Sequence, residues 1–153
     1  MKLSTKGRYG LRAYIDLAKN SGKGPVSIGS IAARQDISER YLEQLMAKLK
    51  KAGLVKSVRG AGGGYVLAKP PGEVSAGDVL RALEGSLEPV VCAAFHPEEE
   101  CPVQENCVTK YVWQKVNESV SRTVDHIMID TLLEKSRENS QEGEDNGKTD
   151  ISG

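Results

Sequence analysis

Residues 37–55 read ISERYLEQLMAKLKKAGLV, and the fold turns on how they are taken. Ser38 is a good helix N-cap, because its hydroxyl can accept one of the amide hydrogens that a helix start leaves unpaired. Ile37 before it can pack on Leu42 as a hydrophobic staple. Leu42, Leu45, Met46 and Leu49 then recur at helical spacing and form one apolar stripe. Gly53 falls just past the C-cap, where left-handed backbone is favoured. The opposite face carries Glu39, Arg40, Glu43, Gln44, Ala47, Lys48 and Lys51, most of them long groups able to hydrogen-bond.

Working outward toward the N-terminus, a short helix is expected over about 27–34, with Ser27 as N-cap and Ile28, Ile31 and Ala32 inward. Residues 35–37 make a tight turn into the helix described above. Before it, a first helix is expected over about 5–19, capped by Ser4 or Thr5, with Leu11, Tyr14, Ile15 and Ala18 as its stripe. Two glycines and a proline in residues 20–25 end it.

Toward the C-terminus, residues 54–58 and 65–68 are short β-prone runs separated by RGAGGG at 59–64. They read as a hairpin with a flexible, positively charged tip. The expected fold class is mainly α with a small β-hairpin: a winged helix-turn-helix over 1–70, which places one helix in the major groove and a wing beside it. A linking helix is expected over 71–91, where Ser75 and Asp78 make a capping box, Ala76, Val79, Leu80 and Leu83 keep helical spacing, and Gly85 ends the helix. A cysteine loop follows at 92–107. Residues 108–136 carry Val108, Tyr111, Val112, Val116, Val120, Val124, Ile127, Met128 and Leu132 in a periodic run. As one helix of about thirty residues it would be about 40 Å long, and it is expected to pack against its twin in a homodimer. Residues 137–153 are polar and acidic and are expected to be a disordered tail.

The net charge of zero conceals an asymmetry. Residues 1–70 hold 14 Lys and Arg against 4 Asp and Glu, net +10, whereas 71–153 hold 7 against 17, net −10. A basic first half points to a polyanion. Aromatic side chains are few there, so duplex DNA is favoured over a single strand read by stacking. No window approaches a membrane span, the opening MKLSTKGRYG has no apolar run behind its positive charges, and the expected location is cytoplasmic. No small-molecule substrate is expected.

Within the DNA-facing set, Arg40 can read guanine and Gln44 adenine, while Glu43 can accept from cytosine and repel phosphate. Ser38 and Lys48 flank them on the same helix. Arg59 at the wing tip is suited to a narrow minor groove, and Lys6, Arg8 and Lys56, with Lys2, Lys50 and Lys51, suit phosphates. Taken singly, each is also what a solvated helix face looks like; the winged context selects the DNA reading.

All three cysteines lie in one segment, CAAFHPEEECPVQENC at 92–107. Three cannot pair off internally, and a reducing cytosol opposes disulfides. Zinc sites bring ligands in closely spaced pairs, and none is present. An iron–sulfur cluster tolerates wider gaps, so a cluster, zinc, a redox thiol set and unligated cysteines all remain open on spacing alone. Cys107 falls in the expected first turn of the long helix, where the dipole favours thiolate. No His or Asp constellation supports catalysis, which leaves an enzyme or a cluster carrier built on Cys107 as a remote reading.

The opening KLSTKGRYGLRA (2–13), the run at 37–55, the wing SVRGAGGGYVLA (57–68) and SAGDVLRALEG (75–85) closely resemble the IscR/NsrR/CymR, or Rrf-two, family of bacterial winged-helix transcriptional regulators. With the cysteine loop and long helix the resemblance covers about 1–135, and the three cysteines make it most similar to the IscR branch. It implies a dimer on a palindromic operator, with Cys92, Cys101 and Cys107 holding an iron–sulfur cluster, 2Fe-2S as in IscR or 4Fe-4S as in NsrR. It also implies operator recognition by Glu43 and Arg59. Members of the CymR type lack the cysteines, so a thiol-redox or cluster-free repressor is the alternative. Two departures stand out. The first cysteine gap is wider than usual, and Lys110 replaces the family's histidine ligand. An ammonium is a poor ligand for iron. His96, a partner-chain residue or a small molecule is then the fourth ligand, since the acidic residue that NsrR relatives use near position 8 is here Arg8. His126 reads as a packing or surface residue.

Overall fold

The computed structural model describes residues 3–89 and 107–149. Among them six α-helices and a two-stranded antiparallel sheet follow in the order α1 (Thr5–Lys19), α2 (Ile28–Gln35), α3 (Glu39–Lys51), β1 (Val55–Val58), β2 (Gly64–Leu67), α4 (Ala76–Glu84), α5 (Thr109–His126) and α6 (Ile129–Thr149). The fold is mainly helical, as expected. No helix of the described residues is long and apolar enough to cross a membrane.

The third helix forms as its sequence dictates. Ser38 Oγ accepts from the Tyr41 amide at 3.1 Å, and Gly53 follows the C-cap with a φ of 77°. Leu42, Leu45, Met46 and Leu49 are fully buried, each contributing about 1.5–3 kcal/mol on removal from water. The turn from α2 puts Asp36 in left-handed backbone (φ 53°, ψ 51°), which Asp tolerates better than most residues. The Ile37 amide then donates to the Ala32 carbonyl at 3.1 Å.

The wing runs one residue off the expected limits. β1 pairs with β2 from Val55 opposite Leu67 to Val58 opposite Gly64. On the other edge of β2, Val26 and Tyr65 exchange two backbone hydrogen bonds of 2.9 and 2.8 Å. The wing is thereby pinned to the chain just ahead of Ser27, which caps α2.

One core unites parts of the chain that the sequence divides at residue 70. Tyr14 and Leu17 of α1, Ile31 of α2 and the stripe of α3 meet Val79 and Leu83 of α4, and Ile129 and Leu133 of α6. The capping box of α4 is present: Ser75 Oγ accepts from the Asp78 amide and Asp78 Oδ2 from the Ser75 amide, both at 3.0 Å.

Two expectations need correction. The single helix expected over 108–136 is broken at 127–128, where Ile127 turns extended (φ −90°, ψ 101°). The Ala76 amide, left without an intrahelical partner at the start of α4, donates to the Ile127 carbonyl at 2.8 Å, and the Ile129 amide donates to the Val74 carbonyl at 2.9 Å. Pairing with 74–76 therefore interrupts the helix, and it sends Ile129 into the core. The second correction concerns the tail: α6 continues through Thr149, so residues 137–149 are helical rather than disordered.

Candidate nucleic-acid interface

The exposed face of α3 carries Arg40, Glu43, Gln44 and Lys48, all in solvent and opposite the buried stripe. Ser38 is exposed too, with its hydroxyl engaged as the N-cap. Two neighbours flank this face. At its start, Tyr41 of α3 donates its hydroxyl to Thr5 Oγ1 of α1 at 3.3 Å and stands edge-on to Tyr9, ring centroids 6.2 Å apart. These contacts bring the first turn of α1, with exposed Lys6 and Arg8, beside the first turn of α3. At its end, Lys50 Nζ donates to Ser57 Oγ of β1 at 2.8 Å, which holds the wing against α3. Lys56 and Arg59 are exposed on that wing. Lys50 is thus a tie between elements as well as an exposed cation. Lys2 lies outside the described residues.

Arg12, Tyr41 and Glu84 escaped the sequence reading. Arg12 is stacked 5.3 Å over the Tyr9 ring and donates to Gln35 twice, Nε to Oε1 at 3.1 Å and Nη2 to the carbonyl at 3.0 Å. It thereby supplies positive charge at the C-terminal end of α2, where the helix dipole favours it. Its position one turn after Arg8 was the available signal. Tyr41 and Glu84 act through contacts between distant segments, which local patterning does not reveal.

Of the predicted metal ligands, Cys92, His96 and Cys101 lie outside the described residues. Cys107 stands two residues before α5 and is half-buried. Its Sγ is 3.0 Å from Thr109 Oγ1. That hydrogen bond first, then the amides of Lys110 and Thr109, hold the thiol below its ordinary pKa, because each donor stabilises the thiolate. The residue suits a thiolate ligand. Among the described residues no group of three His, Cys, Asp or Glu side chains gathers as a metal site. His126 is exposed, with Nδ1 2.6 Å from the Arg122 carbonyl, so it caps its own helix.

Residues 3–135 match the Rrf2 family, described as iron-dependent transcriptional regulators. The chain is 46% identical to the HTH-type transcriptional regulator CymR of Bacillus subtilis over 86% of its length and 89% of that protein's. A solved structure of B. subtilis CymR, the global cysteine regulator, superposes with a TM-score of 0.70 at 44% identity, covering 88% of this chain and 98% of that one. IscR of Aliivibrio salmonicida is 42% identical over 87% of this chain and 77% of its own. The structure of IscR from T. potens matches with a TM-score of 0.73 at 48% identity, covering 91% and 90%.

Proposed function

The chain belongs to the Rrf2 family of transcriptional regulators, and from that premise we propose that it is a cytoplasmic, homodimeric DNA-binding regulator that reports on an iron–sulfur cluster. In this reading α3 enters the major groove, where Arg40, Glu43 and Gln44 meet base edges. Arg59 reaches the minor groove, and Ser38, Lys6, Arg8, Lys48 and Lys56 position the protein on phosphates. The relatives are regulators, not enzymes.

Two copies on a palindromic operator need a self-complementary face. The reading draws support from α5, where Val108 is 84%, Tyr111 65% and Val112 49% exposed. These side chains continue into a shallow apolar surface with Val116 and Val120.

The observation that carries the cluster reading is the Cys107 thiol placed just before α5, its Sγ 3.0 Å from Thr109 Oγ1, in a chain whose family is described as iron-dependent. Cys92, Cys101 and Cys107 would hold a 2Fe-2S or 4Fe-4S cluster, with His96 or a group from outside the chain as the fourth ligand. Such a cluster, when bound, supplies a centre that iron shortage, oxygen or nitric oxide can remove. Genes of cluster assembly or cysteine supply are the expected targets. The test is anaerobic purification of wild type, Cys107→Ala, His96→Ala and Lys110→His, with visible spectra and iron and acid-labile sulfide analysis. A coloured wild type and a colourless Cys107→Ala protein bear the reading out.

A colourless, iron-free wild type that still selects one palindrome from random duplex DNA would favour a second reading, a CymR-like or thiol-redox repressor without a cluster. The 46% identity to CymR is what favours it.

A further inference from the structure

The first turn of α1 contains no acidic residue, yet it carries Lys6 and Arg8. Two cations at the positive end of a helix dipole are unfavourable in themselves. The missing negative charge comes from another element. Glu84, the last residue of α4, reaches across so that its Oε1 accepts from the Ser4 amide at 2.9 Å, the Ser4 hydroxyl at 2.6 Å and the Gly7 amide at 3.0 Å. Ser4 Oγ in turn accepts from the Lys6 amide at 3.2 Å. One carboxylate oxygen thus fixes the entry, the cap and the first turn of the helix. Glycine at position 7 leaves the carboxylate this place, because a Cβ there would lie 2.5 Å from Glu84 Oε1 and push it aside. On the other side Thr5 is held by Tyr41 of α3, so the turn is set relative to both α4 and the exposed face of α3.

We propose that Glu84 is a positioning residue for DNA binding: it sets the first turn of α1 so that Lys6 and Arg8 meet the phosphate backbone in register with α3. The proposal rests on the duplex-DNA reading above. It predicts a sign that a purely electrostatic role does not share. A carboxylate close to a DNA-facing turn repels phosphate, so its removal alone would tighten binding.

The test is fluorescence anisotropy of the full chain with a mixed-sequence duplex across a salt series, since phosphate contacts are independent of sequence. Glu84→Ala should weaken binding about 5- to 20-fold and flatten the salt dependence by about one to two phosphates per protomer. Glu84→Gln keeps the acceptor oxygen and should bind within about threefold of wild type. Gly7→Ala should reproduce the Glu84→Ala loss, although alanine is the better helix former. In the Glu84→Ala background, Lys6→Ala and Arg8→Ala should lose less than they do alone, because one contact cannot be removed twice. Circular dichroism and melting report folding, and where Glu84→Ala fails to fold, Gly7→Ala decides. Unchanged or tighter binding by both variants, or fully independent effects of Glu84 and Lys6, overturns the proposal. A wild type that binds no duplex under any salt overturns the DNA reading itself, a failure visible before any variant is compared.

Discussion

Arg81 of α4 grips Asp125 of α5 through its two terminal guanidinium nitrogens, Nη1 on Oδ1 and Nη2 on Oδ2 at 3.1 Å, directly over Gly77. The pair is 37% and 40% exposed, so it contributes at most about 1 kcal/mol. What lets the helices approach is the missing side chain beneath it. A Cβ on Gly77 would fall 2.1 Å from Asp125 Oδ1 and 3.0 Å from Val124 Cγ2. Together with the backbone pairing of 74–76 with 127–129, this contact joins the helix after the wing to the helix that begins beyond Cys107.

Two substitutions separate the ion pair from the close approach. Asp125→Asn keeps the shape and should cost about 0.5–1 kcal/mol in urea unfolding. Gly77→Ala gains about 1 kcal/mol in helix propensity, but it forces Asp125 and Val124 aside. Overpacking typically costs about 1–3 kcal/mol, so the variant should be no more stable than wild type and its α4–α5 contact looser. A Gly77→Ala protein more stable than wild type would mean that α5 does not lie this close.

Asp16 is a buried charge, 4% exposed, shared among four donor atoms, one of them Asn20 Nδ2 at 3.4 Å. Arg34 donates to it from Nε and from Nη2, the latter at 2.7 Å, and Gln35 Nε2 donates at 2.9 Å. The network bolts α2 to α1. Breaking a buried pair commonly costs about 3–5 kcal/mol, but the Arg34 side chain is 43% exposed and can rehydrate, so Asp16→Ala should lose about 2–3 kcal/mol. Asp16→Asn retains an acceptor and should lose less. Chemical denaturation of both variants checks the order.

Tyr14 is fully buried, and its hydroxyl finds no partner among the described residues. Burial first, and the charge of Asp78 second, push its phenol from 10.0 up to about 12. Burial of the neutral form raises the folded value above the unfolded one. Its contribution is therefore complete below pH 10 and is lost as the pH climbs toward 12. Tyr14→Phe should be within about 1 kcal/mol of wild type at pH 7, since no hydrogen bond is forfeited. Between pH 10 and 12 it should lose less stability than wild type, measured as melting temperature against pH.

What the sequence revealed followed from how local each feature is. The stripe, cap and closing glycine of α3 all lie within residues 38–53, as Ser75 and Asp78 lie within one turn, and both elements formed where patterning put them. The break at 127–128 was illegible because Val124, Ile127, Met128 and Leu132 keep a helical period on either side of it. Only the pairing with 74–76, some fifty residues away, opens the helix. Glu84 on Ser4 and Tyr41 on Thr5 are non-local in the same way. The residues of the interface were legible individually, as exposed polar groups on a helix; the ties that bring α1 and the wing alongside α3 were not.

Arg59 stands exposed at the wing tip, with Gly60 behind it at a φ of 101°. A groove-inserted Arg does more than a phosphate contact, so Arg59→Ala should weaken a selected operator by about 1–3 kcal/mol. Lys56→Ala, on the strand below, should weaken all duplexes alike by less. Gel-shift titration against selected and scrambled duplexes distinguishes the two, and an unchanged Arg59→Ala affinity removes the wing tip from the interface.

The exposed valines of α5 give the test of assembly. Val112, Val116 and Val120 follow one another at four-residue spacing, with Tyr111, Lys115 and Ser119 completing the same surface. Covered by a second copy, this face would bury a carboxylate introduced at its centre, and an unpaired buried charge costs about 3–5 kcal/mol. Val116→Glu should accordingly raise the dimer dissociation constant by at least about a hundredfold, read by sedimentation at micromolar protein. Gln114→Glu places the same charge on the other side of the helix and should leave assembly unchanged. A monomeric Val116→Glu protein should still bind a half-site through α3, but a palindrome only with the lower affinity of a single module. A Val116→Glu protein that sediments as the wild type does would show that the face is covered by something other than its twin.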